Sequence, residues 1–169
     1  MKYNDCFMGI DPGKTGSAAI YFPKTEGNDP QFLFLDWPKE NNPMIVRDQI
    51  SDWINGDAYT IQFAILEKVA SMPGQGVKSV FSFGINYGMW QAILASLCIS
   101  YQMMPPQQWQ KGLITGSDGA DPKKRGRNFV TRMWPNQLRE FMGPKGGWKD
   151  GRADAAIMAY KAYLLREEK

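Results

Sequence analysis

Apolar and polar residues fall into blocks along this chain, and the block lengths separate strands from helices. Cys6–Ile10 is a short apolar run halted by Asp11-Pro12-Gly13, which predicts a strand entering a turn. Ser17–Phe22 and Gln31–Asp36 predict two more strands around a polar segment, and such short connections favour an antiparallel meander. Apolar residues at Met44, Ile45, Ile50, Trp53 and Ile54 carry a helical period over Met44–Asn55, stopped by Gly56. Ile61–Leu66 is almost continuously apolar and ends in Glu67, as expected of a central strand covered on both faces.

The segment SMPGQGVKS is too rich in Gly and Pro for regular structure. A helix is predicted from Ser79 to Cys98 with Gly84 and Gly88 inside it, then a strand over Tyr101–Met104 halted by Pro105-Pro106. Gln107–Lys111 forms at most one helical turn, and GLITGSDGAD reads as a loop. Asp121-Pro122 has the form of an N-cap and first helical residue, opening a basic helix through Met133 that Pro135 ends. Gly143–Gly147 reads as a flexible link before a last helix over Gly151–Arg166. The order βββ-α-β-α-β-α-α over one domain, residues 1–169, predicts an α/β fold: a mixed sheet flanked by helices.

Composition narrows the chemistry. At 169 residues, 43% hydrophobic and 22% charged, the chain can bury an ordinary core. A net charge of +3 means that any nucleic-acid footprint must come from clustered cations rather than total charge. Histidine is absent, which excludes His-ligated zinc, His general bases and Ser-His-Asp triads. Cys6 and Cys98 lie in apolar runs and read as buried free thiols in a reducing compartment. No apolar stretch approaches the roughly 20 residues of a membrane span, and the N-terminus lacks a signal-peptide pattern, so a cytoplasmic location is expected.

Four carboxylates stand out: Asp11 and Glu67, each ending a strand-like apolar run, and Asp150 and Asp154, one helical turn apart on a common face. Individually each has an ordinary explanation: a turn Asp capping amides, a solvated strand-end Glu, an N-cap, a partner for the helix dipole. Together they repel and need cations to coexist. Hard oxygen ligands suit Mg²⁺ or Mn²⁺, and two such ions are a recurrent device for cutting phosphodiesters.

The motifs GIDPG (9–13), ILEKV (65–69), FSFGINYGMWQAIL (81–94) and DGRADAAIMA (150–159) resemble those of RuvC-like Holliday-junction resolvases of bacteria and phages, within the ribonuclease H-like superfamily. They span nearly the whole chain in the family's order. The resemblance implies a five-stranded mixed sheet with acids at the ends of strands one and four and on the last helix. Asp11, Glu67, Asp150 and Asp154 would form the catalytic tetrad and hold two Mg²⁺ ions per site, with Mn²⁺ as a substitute. The activity implied is hydrolysis of branched DNA, above all four-way junctions, by a homodimer in a bacterial or phage-infected cell. The last two acids are three apart in better-known bacterial members and four apart here; both offsets share a helix face.

Lys111, Lys123, Lys124, Arg125, Arg127 and Arg132 concentrate positive charge between two glycine-bearing loops, where a solvated helix face is the competing explanation. The resemblance matches Lys111 and Lys123 to two functional lysines, with Lys124 as the alternate for the second. In the SMPGQGVKS loop, backbone amides, Gln75 and Lys78 are candidate DNA contacts. Ala70 stands where some members carry a base-stacking aromatic, and Met72 is the candidate wedge in its place. Phe81 and Phe83 are expected in the core, as are Trp109, Trp134 and Trp148. Gly84 and Gly88 predict close helix approach, within the chain or across a dimer. Two other functions fit the pattern: a ribonuclease H-like nuclease acting on RNA or an RNA–DNA hybrid, and a catalytically silent junction-binding protein.

Overall fold

The computed structural model describes residues 5–13, 15–24, 28–56, 59–70, 74 and 76–167, without the side chains of Pro122 and Lys123. Strands β1 (Asp5–Ile10), β2 (Ser17–Phe22) and β3 (Gln31–Asp36) form the antiparallel meander. Strand β4 (Thr60–Glu67) lies parallel to β1 on its other side, and β5 (Tyr101–Met104) lies parallel to β4. The sheet order is β3-β2-β1-β4-β5, with β1 at the centre.

Alternation along β1 divides the interior into two cores. Phe7 points to one face, where it meets residues of α4 (Pro122–Met133) and α5 (Asp150–Glu167). Cys6, Met8 and Ile10 point to the other, against α1 (Pro43–Asn55) and α2 (Val77–Ser96). Asn42 caps α1 by accepting the Met44 amide at 3.0 Å, with Pro43 as its first residue. No helix among the described residues is long and apolar enough to cross a membrane.

Helix α5 approaches the sheet unusually closely. A Cβ on Gly9 would lie 2.0 Å from the Ala155 carbonyl oxygen and 2.4 Å from the Ala159 nitrogen. Glycine on the strand and alanines on the helix therefore allow backbone-to-backbone contact. Ala153, Ala155, Ala156, Ala159 and Ala162 are all buried along this face.

Several elements depart from the sequence expectations. Helix α2 begins at Val77 and ends at Ser96, and Cys98 is exposed rather than buried. The cause is a Schellman ending: the Cys98 amide reaches Ala95 O at 3.1 Å and the Ile99 amide reaches Leu94 O at 2.9 Å. Cys98 takes the left-handed position of that motif with φ 54°, while Ile99 turns inward. Cys6 is buried as expected; burial, reinforced by Asp5, pushes its thiol up to about 12.

Phe81 is 68% exposed, not core, on the same face of α2 as the exposed Val77 and Ile85. Phe83 is half-buried, and Trp109 and Trp134 are buried. The expected loop over 112–121 contains a 3₁₀ turn at Gly116–Asp118, and Pro135–Phe141 forms another. Asp118 organises the first: it is buried, accepts the Thr115 amide at 2.9 Å and pairs with Arg132 on α4 at 3.0 Å.

Gly9→Ala is expected to destabilise the protein by about 3 kcal/mol or more, since the added methyl would meet backbone rather than movable side chains. Urea denaturation checks this; a midpoint unchanged from the parent would show that α5 can move outward without loss.

Candidate active site

The site begins with the register of two parallel strands. Ile10 on β1 pairs with Leu66 on β4, so Asp11 and Glu67 are the next residues at the same end of adjacent strands. Asp11 opens a tight turn in which its Oδ1 accepts the Gly13 amide at 3.0 Å, and its own amide donates to Ser17 O at 3.0 Å. Gly16 is required there, because a Cβ would lie 2.1 Å from the Asp11 carbonyl oxygen. Glu67 is steered by Trp109, whose buried indole Nε1 donates to Oε1 at 3.3 Å. Trp109 sits in α3 (Pro106–Gln110), directly after β5.

Helix α5 supplies the other two acids. Its close seating on Gly9 brings its first turns over the end of β1. A Cβ on Gly151 would meet Asp11 Oδ2 at 2.8 Å, and one on Gly126 would meet Asp154 Oδ1 at 3.0 Å. Glycines on α5 and α4 thus leave room for two carboxylates that larger residues would displace.

Asp11, Glu67 and Asp154 behave as one electrostatic group. Burial, then the Asp11 charge, pushes Glu67 up to about 7, opposed by the Trp109 hydrogen bond. Burial, then Asp11, Glu67 and Asp150, pushes Asp154 up to about 7. Burial raises Asp11 too, opposed by the Gly13 amide. None of the three has an ion-pair partner among the described residues. Partly buried carboxylates without a cation are costly, so the group either holds protons or attracts external positive charge.

Asp150 does not complete a four-acid cup. It is exposed at the start of α5 and forms a forked ion pair with Arg127, at 2.5 Å from Nε and 2.9 Å from Nη2. Among the described residues no group of three or more acids or cysteines stands at ligating distance around one point. The expected convergence is therefore tight in electrostatics but looser in geometry: three coupled acids, with the fourth diverted to an arginine. The donor set still fits a hard divalent cation, because carboxylates are its only charged members and no described side chain forms an ion pair with Asp11, Glu67 or Asp154.

Beside Asp154 lies a cleft of about 340 Å³ walled by Gln110, Arg125, Arg127 and Asp150. Arg125 is anchored there through Nε to Gly119 O at 2.8 Å. Lys111 is exposed at the end of α3, next to Gln110, and Lys124 faces Asp121 at 3.9 Å. Lys78 is exposed in the first turn of α2. Lys123 belongs to α4 with its side chain outside the described residues, where Met72 and Gln75 also lie. The two arginines, rather than the lysines, are the cations that the described structure places against the acids.

Residues that sequence reasoning passed over hold this geometry. Asp36, at the end of β3, receives Arg152 through Nε at 2.9 Å and Nη2 at 2.8 Å, together with Lys149 and the Ser17 hydroxyl at 2.7 Å. Burial raises its pKa, but Arg152, Lys149 and Ser17 outweigh this and hold it well below the usual carboxylate range. This clamp ties the start of α5 to the sheet. Its signal in the sequence was the pair of cations flanking Asp150, which gives no hint of a partner more than 110 positions away.

A pH dependence follows. Unfolded, Glu67 and Asp154 titrate near the ordinary carboxylate values; folded, both do so at about 7. The folded state binds more protons in between, so stability falls as pH rises through that interval. Asp36 works in the opposite sense but below it. Without divalent cations, the unfolding temperature is expected to fall from about pH 5 to about pH 7.5, and Asp154→Asn to remove much of that slope. A parent profile that rises or stays flat would contradict the coupling.

No protein-family model and no curated protein sequence matches the chain. Among solved structures it is similar to Thermus thermophilus RuvC in complex with a Holliday junction substrate, with a TM-score of 0.61 and 10% identity over 96% of this chain and 95% of that one. Thermus thermophilus RuvC in another structure gives a TM-score of 0.59 at 14% identity, covering 96% of each chain. The yeast mitochondrial Holliday junction resolvase gives 0.56 at 12% identity, over 98% of this chain and 79% of that one. At such identities the likeness is one of fold: the chain has the ribonuclease H-like architecture of RuvC-type resolvases, as its motifs implied.

Proposed function

We propose that the protein is a structure-selective DNA endonuclease that hydrolyses phosphodiesters in branched DNA, with four-way junctions as the principal substrate. The observation that carries this reading is the group Asp11, Glu67 and Asp154: three partly buried carboxylates without an ion-pair partner among the described residues, beside an arginine-walled cleft. A structural salt-bridge network would have supplied the cations itself. A fold shared with a RuvC structure bound to a junction supports the choice of substrate.

In this reading Asp11, Glu67 and Asp154 would hold Mg²⁺ or Mn²⁺, with Asp150 joining once Arg127 leaves it. Held by these carboxylates, divalent ions would supply Lewis-acid activation of water and charge stabilisation for the departing oxygen. The chain's own residues do the rest. Trp109 fixes the orientation of Glu67, and the Gly13 amide fixes that of Asp11. Arg125 and Arg127 hold the phosphates flanking the cut, a planar guanidinium suiting two phosphate oxygens at once. Arg127 then exchanges Asp150 for phosphate, so the fourth acid is released when DNA arrives. Lys111 and Lys123, with Lys124 as alternate, extend the track along the backbone. Histidine is absent, and no side-chain base is needed.

The exposed face of α2 fits a second copy of the chain. Val77, Phe81 and Ile85 line up at four-residue spacing and are 86%, 68% and 38% exposed. Gly84 and Gly88 have open space over them, so the close approach they favour is not met within the chain. A two-fold dimer would present two sites to a two-fold junction.

Asp11→Asn is expected to abolish Mg²⁺-dependent cleavage of a four-way junction while leaving junction binding in EDTA intact. A panel of four-way, three-way, flapped and linear DNA with an RNA–DNA hybrid control is the measurement; stronger cleavage of the hybrid would favour an RNA-directed nuclease, and parental binding without any cleavage a silent binder. Phe81→Glu is expected to shift the protein from dimer to monomer in sedimentation, and a parent that is already monomeric would remove the α2 interface.

A further inference from the structure

A second cleft, of about 770 Å³, opens on the other side of Asp150 and Gly151 and is unused by the chemistry above. Its walls come from four separate segments: the turn between β1 and β2 (Thr15), the segment after β3 (Trp37, Lys39), helix α2 (Ile85, Asn86) and the approach to α5 (Trp148). At its wall Asn86 is only 4% exposed, yet its carboxamide has no hydrogen-bond partner among the described residues. Asn86 sits mid-helix one turn before Trp90, and its carboxamide is open to the cleft, so that water or a ligand held there satisfies it. A primary carboxamide offers one acceptor and two donors in a plane, the pattern that pairs with a nucleobase edge.

The surroundings fit the same ligand. Trp148 lines the cleft half-buried, its ring carrying the Arg127 guanidinium at 5.9 Å from the centroid, while Lys39 is exposed with no ion pair among the described residues. Stacking surface, edge-reading amide and a cation at the rim together suit a nucleotide taken out of the duplex. The cleft shares Asp150 and Gly151 with the acidic site, and Gly151 abuts the Asp11 carboxylate. A base held there would therefore lie within a nucleotide or two of the phosphate being cut.

We propose that this cleft is a nucleobase subsite for an unpaired base of the cleaved DNA strand, in which Asn86 reads the base edge against Trp148. It rests on the nuclease reading and adds to it a determinant of sequence preference at the cut. Asn86 is here a specificity residue, remote from the reacting atoms.

Two measurements on the full-length protein test it. In the first, junctions carrying each of the four bases at each position beside the cut are cleaved by the parent, Asn86→Ala and Asn86→Leu. The parent is expected to favour one base at one position by about tenfold, and both variants to reduce that ratio to within about twofold. A parent without preference, or variants that keep it, would overturn the proposal. In the second, 2-aminopurine at that position reports base stacking in EDTA with no cleavage required. Quenching by the parent and its loss in both variants supports the subsite even if no junction is cut, whereas unquenched parent complexes overturn it and leave the nuclease reading untouched. Thermal melts separate a structural role: parent-like melting of either variant with the base preference lost supports the subsite, and a large drop in both variants would assign Asn86 to the fold.

Discussion

The contact between Gly9 and the Ala155–Ala159 stretch is the constraint on which the rest depends. Strand register alone brings Asp11 and Glu67 together, since β1 and β4 are parallel neighbours. The third acid must come from another layer, and a helix on a sheet ordinarily stands off by the thickness of its side chains. Here the intervening side chains have been reduced to hydrogen and methyl. That brings Asp154 close enough to feel the charges of Asp11 and Glu67. The same alanines that look like mere helix formers in the sequence are spacers, and their effect is electrostatic.

Such proximity works against folding. Burial and the Asp11 charge raise the pKa of Glu67 and Asp154, and no described side chain forms an ion pair with the group. The structure offsets this locally. Asp36, Lys149 and Arg152 tie the first turn of α5 to β3, with Arg152 also donating to Glu140 O at 2.6 Å. Asp118 and Arg132 brace α4 from the other side. Both clamps pair a carboxylate with arginine and flank the acidic group without neutralising it. Charge is compensated where geometry must be rigid, and left uncompensated where chemistry is to occur.

Much of this was legible in the sequence. All five strands and the longer helices follow from block length and punctuation, because glycine and proline end elements by sterics that do not depend on tertiary context. Asp11, Glu67 and Asp154 could be picked out because each ends or opens such a block. Less accessible was anything set by a distant partner. Asp150 carries the same residue type as Asp154, and only the fold shows that Arg127 occupies it. Phe81 has helical spacing like any core aromatic, yet it falls on a face of α2 that the described residues leave exposed. Asn86 is a polar residue in an apolar helix, and periodicity alone cannot tell a buried amide from an exposed one.

The contrast between Asp36 and Asp150 shows how one helix end can be both fixed and responsive. Asp36, from the end of β3, grips the start of α5, Asp150 is its first residue, and both meet arginine. Asp36 is held by two cations and a hydroxyl, so losing any one partner leaves it paired. Asp150 has Arg127 alone, and that pair is largely solvent-exposed. An exposed pair is only weakly favourable, because water and salt compete for both members. A DNA phosphate competes for the same guanidinium with the advantage of its neighbours on the backbone. In the proposed nuclease the rigid clamp keeps Asp154 in place throughout, while the weak pair yields on contact with substrate, so that the full negative charge of the site develops only when DNA and its counter-ions are present to meet it.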